Sequence, residues 1–144
     1  MIRKLQKDEF SQVADLSLDV FMQFGQEDFN EQGLETFRSF VYSDDLMNEL
    51  VIYGAFQEGK LAGILGIKRM GTHVSLFFIR KEYQGKGIGR ELFDYALKDK
   101  PVEEMTVNSS TYAIKVYQAF GFEKIAEIQE TNGLKYTPMK RISR

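Results

Sequence analysis

The chain has 144 residues, 43% of them hydrophobic and 28% charged, with a formal net charge of −2 at pH 7. That is the profile of one globular domain with enough chain for a sizeable core, and it gives no reason to expect nucleic acid as a partner. With no cysteine and one histidine, His73, a disulfide framework and a cysteine nucleophile are excluded and a zinc site is disfavoured.

Met1–Gln6 reads as a short strand, with Asp8 placed to cap the helix that follows. In that helix Phe10, Val13, Leu16 or Ser17, Val20 and Phe24 recur by threes and fours, one apolar stripe, before Gly25 ends it. Leu34, Phe37 and Val41 continue the spacing in a second helix, capped by Asp28 or Asn30. Ser43–Leu50 is a polar link or a helical turn. Val51–Phe56 and Leu61–Met70 form a hairpin around Gln57-Glu58-Gly59-Lys60, and Gly63 and Gly66 mark a bulge or a close backbone approach in its second arm. Pro101 stops the helix after the glycine-rich stretch described below. Val102–Val107 reads as a strand, Thr111–Phe120 as a helix closed by Gly121, and Phe122–Gln129 with Leu134–Lys140 as a hairpin about Asn132-Gly133. Pro138 predicts that the last strand is an edge or is bulged at that point. No apolar run is long enough to span a membrane and the N-terminus lacks the apolar core of a signal peptide, so a cytoplasmic protein without a membrane partner is expected.

The most informative stretch is Leu76–Lys98, which runs from the apolar Leu76-Phe77-Phe78-Ile79 through Gly85, Gly87 and Gly89 to a helical stripe of Leu92, Phe93, Ala96 and Leu97. Strand, glycine loop and helix N-terminus in succession make an anion cradle, because the first-turn N–H groups lack partners and glycine lets the backbone approach closely. A P-loop needs Lys-Ser or Lys-Thr after its last glycine, whereas Gly89 is followed by Arg90-Glu91; a dinucleotide fingerprint needs a third glycine where Arg90 stands.

What stands here is Q-x-x-G-x-G, from Gln84 to Gly89, which resembles the acyl-coenzyme A pyrophosphate loop of the GNAT superfamily of N-acetyltransferases. From Asn108 the chain reads N-S-S-x-Y-A-x-x-x-Y-x-x-x-G-F, similar to the GNAT segment in which a strand ends in Asn, a short helix carries a Tyr and Gly-Phe opens the next strand. One departure is Lys81, where many members have Pro before the loop. The resemblance implies a single domain over residues 1–144 of α/β (α+β) class. Its mixed, mostly antiparallel sheet of about six to seven strands would be flanked by helices and splayed at the acyl-CoA site.

The resemblance also implies roles. The donor pyrophosphate would lie on the backbone N–H groups of Gly85, Lys86, Gly87, Ile88, Gly89 and Arg90, with Gln84 opening the turn and Lys86 or Arg90 adding charge. Phe78 and Ile79 would offer main-chain groups to the pantetheine arm, and Asn108 would bond the arm or the acyl end. Tyr117 would protonate the leaving thiolate, with Tyr112 structural. Acetyl-CoA is the implied donor and no metal is implied. The acceptor would be a small-molecule or peptide amine, attacking directly in a ternary complex; polyamine, aminoglycoside, amino acid and protein amine all stay open. Phe21, Phe24 and Phe29 would wall that pocket or belong to the core. A general base stays unassigned among His73, Glu27, Asp28, Asp44, Asp45 and Glu49, and a homodimer is the default assembly. The rival from another class is a non-catalytic acyl-CoA sensing module.

Overall fold

In the computed structural model, which describes residues 1–143, β1 (Ile2–Lys4), β2 (Leu50–Gln57), β3 (Lys60–Lys68) and β4 (His73–Ile79) form an antiparallel meander. β5 (Glu104–Ser109) lies parallel to β4, and the sheet continues through β8 (Leu134–Ile142) to β6 (Phe122–Lys124), while β7 (Gln129–Thr131) pairs with β8. The expected mixed, mostly antiparallel sheet is present with eight strands, because the stretch Phe122–Gln129 divides in two. β6 pairs with Met139–Arg141 and β7 with Leu134–Tyr136. Pro138 falls at that break. Its carbonyl accepts the Ile125 N–H at 3.0 Å, so its missing N–H faces the same interrupted side. The expected edge or bulge is thus a gap in the neighbouring strand of an interior one.

Strand alternation sorts the core into two layers. Leu50, Ile52, Ile64 and Leu76 pack under α1 (Phe10–Phe24) and α2 (Glu31–Val41). Tyr53, Ala55, Leu65 and Val74 pack under α4 (Ile88–Asp99) and α5 (Ile114–Ala119). Between these helix pairs in the chain, α3 (Asp44–Met47) is a single turn capped by Ser43, whose Oγ accepts the Leu46 N–H at 3.2 Å. Both candidates for the α1 stripe, Leu16 and Ser17, are buried.

Local chemistry sets the element ends. The Glu58-Gly59 and Asn132-Gly133 corners hold φ of 53° and 78°, and of 51° and 82°, two consecutive left-handed residues as a type I′ hairpin requires. Asn30 caps α2, its Oδ1 accepting the Gly33 N–H at 2.9 Å. Asp8 caps nothing: Lys7–Glu9 form a 3-10 turn, and Glu9 instead accepts the Gln6 N–H at 2.9 Å and a bidentate Arg3 at 2.7 and 3.0 Å. Glu9 stands at the third position of that turn, where its carboxyl reaches back to the Gln6 N–H, and the arginine holds it below the usual carboxylate range.

Candidate active site

The site begins where β4 and β5 part. Their parallel pairing is confined to His73–Thr106 and Val74–Val107. Beyond Val107, β5 turns its hydrogen bonds to β8 alone. Opposite, the β3–β4 register slips between Gly66 and Ile67, so that Ser75 is an inserted residue. A bulge bends a strand and resets its alternation. Val74, Phe77 and Ile79 therefore face the α4–α5 layer, while Leu76 and Phe78 face α1 and α2. Through this splay runs a cavity of about 640 Å³ that reaches both layers.

Main-chain groups along the free edge of β4 are assigned by the ladder. The Arg80 N–H donates to Ala62 O at 2.8 Å, so by the two-residue period Phe78 also spends its main-chain groups on β3. Those of Phe77 and Ile79 point into the splay. The Gln84 side chain already holds one of them, its Nε2 donating to Ile79 O at 2.9 Å. Of the two strand residues expected to offer main-chain groups, Ile79 is placed to do so. Phe78 instead lines the cavity with its ring.

At one mouth lies the glycine loop. Gly85 and Gly87 have φ of 77° and 81°, and a Cβ added at either would meet no atom within 4 Å. These positions demand glycine for backbone conformation and leave open space above it. Gly87 is the N-cap of α4 and supplies no side-chain cap, so the first-turn amides that follow it are left for a ligand. Gly85, Gly87, Ile88 and Gly89 all line the cavity. Lys86 and Arg90 do not: Lys86 lies over the Tyr83 ring at 5.7 Å, and Arg90 lies over Phe120 at 5.2 Å and pairs with Asp94 at 3.4 Å.

On the β5 side, Asn108 is exposed and lines the cavity. It is free to do so because Ser110 caps the turn that leads to α5, its Oγ accepting the Ala113 N–H at 3.2 Å. That turn delays α5 to Ile114, three residues later than the spacing predicts. Tyr117, 5% exposed, lines the cavity from α5 and meets Phe77 and Phe122 edge-on at 5.9 and 5.4 Å. Burial pushes its phenol well above the ordinary tyrosine range. Tyr112, expected to be structural, also lines the cavity. It stacks on Phe24 at 4.6 Å and donates to Gln84 Oε1 at 2.9 Å, bridging the two sides of the splay.

The far wall comes from α1, α2 and the β7–β8 hairpin. Asp28, 2% exposed, accepts the Thr111 N–H and Oγ1–H, each at 2.7 Å, and so ties the α1–α2 connector to the turn after β5. The Asn30 N–H donates to Gly133 O at 3.3 Å, and Thr36 Oγ1 donates to Asn132 O at 3.0 Å. The hairpin as a wall was not legible in the sequence. Its one local signal was Gly33, a glycine within the first turn of α2 where a Cβ would collide with the Gly133 carbonyl. His73 lies at the other end of β4, its Nδ1 2.7 Å from Thr106 Oγ1, and burial, then the Lys68 charge, pushes its pKa down. It does not line the cavity; nor do Glu27, Asp44, Asp45 and Glu49.

The family model described as an acetyltransferase (GNAT) domain matches residues 26–143. The chain belongs to the GNAT acetyltransferase family. No curated protein sequence matches it. Solved GNAT structures share the fold over nearly their whole length. A GCN5-related N-acetyltransferase from Rhodopseudomonas palustris is 18% identical, with a TM-score of 0.84 over 99% of this chain and 95% of that one. The PaiA N-acetyltransferase from Thermoplasma acidophilum, in complex with coenzyme A, is 20% identical with a TM-score of 0.75 over 99% and 98%. A ribosomal-protein-alanine N-acetyltransferase from Brucella melitensis is 17% identical with a TM-score of 0.67 over 99% of both chains. Among the described residues, no helix of this GNAT domain is long and apolar enough to cross a membrane, and no cluster of three metal-ligating side chains occurs.

Proposed function

We propose that this chain transfers an acetyl group from acetyl-coenzyme A to a primary amine by direct attack within a ternary complex. One observation carries the reading: a single cavity joins the uncapped N-terminus of α4 to the Tyr117 phenol through the gap between β4 and β5. The glycine-loop amides suit a diphosphate. The free edge of β4 suits an amide-bearing arm added like a strand, with the Ile79 N–H available to polarise the thioester carbonyl. Complex formation with coenzyme A in the PaiA relative supports the donor.

Tyr117 is the proposed proton donor to the leaving sulfur. A tyrosine is protonated at neutral pH, the form that can donate, and burial raises its pKa further. Free phenol and thiol differ by roughly 1.5 pKa units; burial widens that gap, so the hydrogen bond to the developing thiolate matters more than complete proton transfer ahead of it. Asn108, unused as a cap, is placed to bond the arm. Calorimetric titration with acetyl-CoA, beside ATP and NAD, tests the donor on wild type and Gly87→Glu. Binding of acetyl-CoA to wild type alone is expected. Thiol release tests the acid: Tyr117→Phe should bind the donor normally and lose about 100-fold in kcat. Binding of a nucleotide without acetyl-CoA, or an unchanged kcat in Tyr117→Phe, overturns the respective assignment.

A further inference from the structure

The far half of the cavity, beyond the splay, is walled by Phe21, Phe24, Phe37, Phe40, Phe78 and Leu134. The rings brace one another. Phe21 stacks on Phe29 at 4.7 Å and on Phe37 at 4.0 Å, and Phe37 meets Phe78 edge-on at 5.8 Å. Such a box holds its shape without a ligand.

Its charge inventory is short. Asp28 and Lys135 are the acidic and basic side chains at this half, among the described residues. Each Asp28 oxygen accepts one bond from the neutral Thr111. Lys135 is exposed at the rim of this half and sits in register with Glu130 across the hairpin; its own positive charge repels a second ammonium. The Thr36 hydroxyl shares its one proton between Gln32 O at 2.9 Å and Asn132 O at 3.0 Å and is neutral. A second ammonium group entering here would meet Asp28 as the one acidic side chain, 2% exposed and already bonded to Thr111, and would lose its hydration against the rings.

We infer that the acceptor is a primary amine carried on an apolar body: an arylalkylamine or alkylamine, or the N-terminus of a peptide that begins with an apolar residue. The inference rests on the acyl-transfer reading and names the chemistry of its acceptor. The same wall favours deprotonation of the amine without a dedicated base. An apolar surrounding disfavours the charged form of an amine and lowers its pKa, so the amine sheds its ammonium proton on entry. The neutral nitrogen then forms the C–N bond with the acyl carbon and the C–S bond breaks. Sulfur takes up one proton and nitrogen releases one to solvent, leaving an amide and a free thiol.

The test is thiol release by the full chain at saturating acetyl-CoA. One set of acceptors is 2-phenylethylamine, hexylamine and a tripeptide beginning with Phe; the other is spermidine, kanamycin and free lysine. Expected is a kcat/KM for the best apolar amine above that for spermidine by about 10- to 200-fold, the range a hydrophobic pocket delivers. Phe40→Asp, which places a carboxyl in the wall, should lower that ratio at least about tenfold. Preference for the small amines over the tripeptide assigns a free amine, and the reverse assigns a chain N-terminus. A wild-type preference for spermidine or kanamycin overturns the inference, as does acetyl-CoA binding without transfer to any apolar amine. Failure of acetyl-CoA to bind at all removes the acyl-transfer reading itself, and the inference with it.

Discussion

Asp28→Ala tests how the far wall is held. The side chain is 2% exposed and makes two bonds of 2.7 Å to Thr111, one to the N–H and one to Oγ1. Each bond contributes about 1 kcal/mol net, and a buried partner left unpaired costs about 1–3 kcal/mol more. Because the site borders an open cavity that can admit water, the expected loss is about 2–4 kcal/mol in all. At roughly 4 °C per kcal/mol for a domain of this size, the melting temperature should fall by about 8–16 °C. Asp28→Asn keeps the bulk and one acceptor, so about half that loss is expected. Combining Asp28→Ala with Thr111→Val should be less destabilising than the sum of the singles, because both remove the same hydroxyl bond. Thermal and urea melts followed by circular dichroism read these variants and Thr111→Val alone. The glycine loop makes no bond to Asp28, so acetyl-CoA affinity should stay within about twofold of wild type while the acceptor KM rises about tenfold. Melting within about 2 °C of wild type would refute the tie. Equal losses of donor and acceptor affinity would show that Asp28 does not act on the wall alone.

Gly87→Ala should cost about 1–2 kcal/mol, since φ is 81° there. Gly89→Ala should be neutral or stabilising: it adds a helical Ala whose Cβ meets Phe77 at an ordinary 3.4 Å. Equal effects in chemical melts would remove the left-handed turn from the account. Three phenols are held above the ordinary range: Tyr42 by its bond to Asp15, Tyr53 by burial and then its bond to Asp99, and Tyr117 by burial. Their stabilising contribution is complete below about pH 10 and is lost as pH rises through the raised folded values. An ultraviolet titration should find them protonated until the fold opens; ionisation of all seven tyrosines in a folded protein would contradict it. His73, depressed by burial and then by Lys68, contributes stability above its unfolded value that is lost as pH falls through the lower folded value. As the single histidine it gives one imidazole signal by NMR, with a midpoint expected below about 6.5; a midpoint at or above that value would contradict the burial.

The readable parts of this protein were those whose chemistry lies within one turn or one strand of chain. Gly85, Gly87 and the apolar stripe of α4 lie in a single stretch, so the cradle was legible as spacing. So were the α1 and α2 stripes, the α2 cap as one of Asp28 and Asn30, and the Asn132-Gly133 corner. Local reading failed where two short segments compete for one role. Asp8 does not cap α1, because Lys7–Glu9 wind into a 3-10 turn whose Glu9 carboxyl turns back to Gln6. It failed again where a strand's partner changes, as in the split of β6 from β7 beside Pro138.

Whether Phe21 and Phe24 were wall or core could not be settled by periodicity, because an apolar stripe reads the same in both settings. The answer depends on what faces them across the fold: Tyr112 stacked on Phe24, Thr111 bonded to Asp28, and Gly133 pressed on Gly33. The sequence by itself thus determined the glycine loop, whose geometry is a matter of φ angles and helix ends. The splay of β4 from β5 was expected from the family resemblance and not from any spacing, and tertiary structure alone decided the aromatic box beyond it. Both are made from residues far apart in the chain, whose meeting no local spacing encodes.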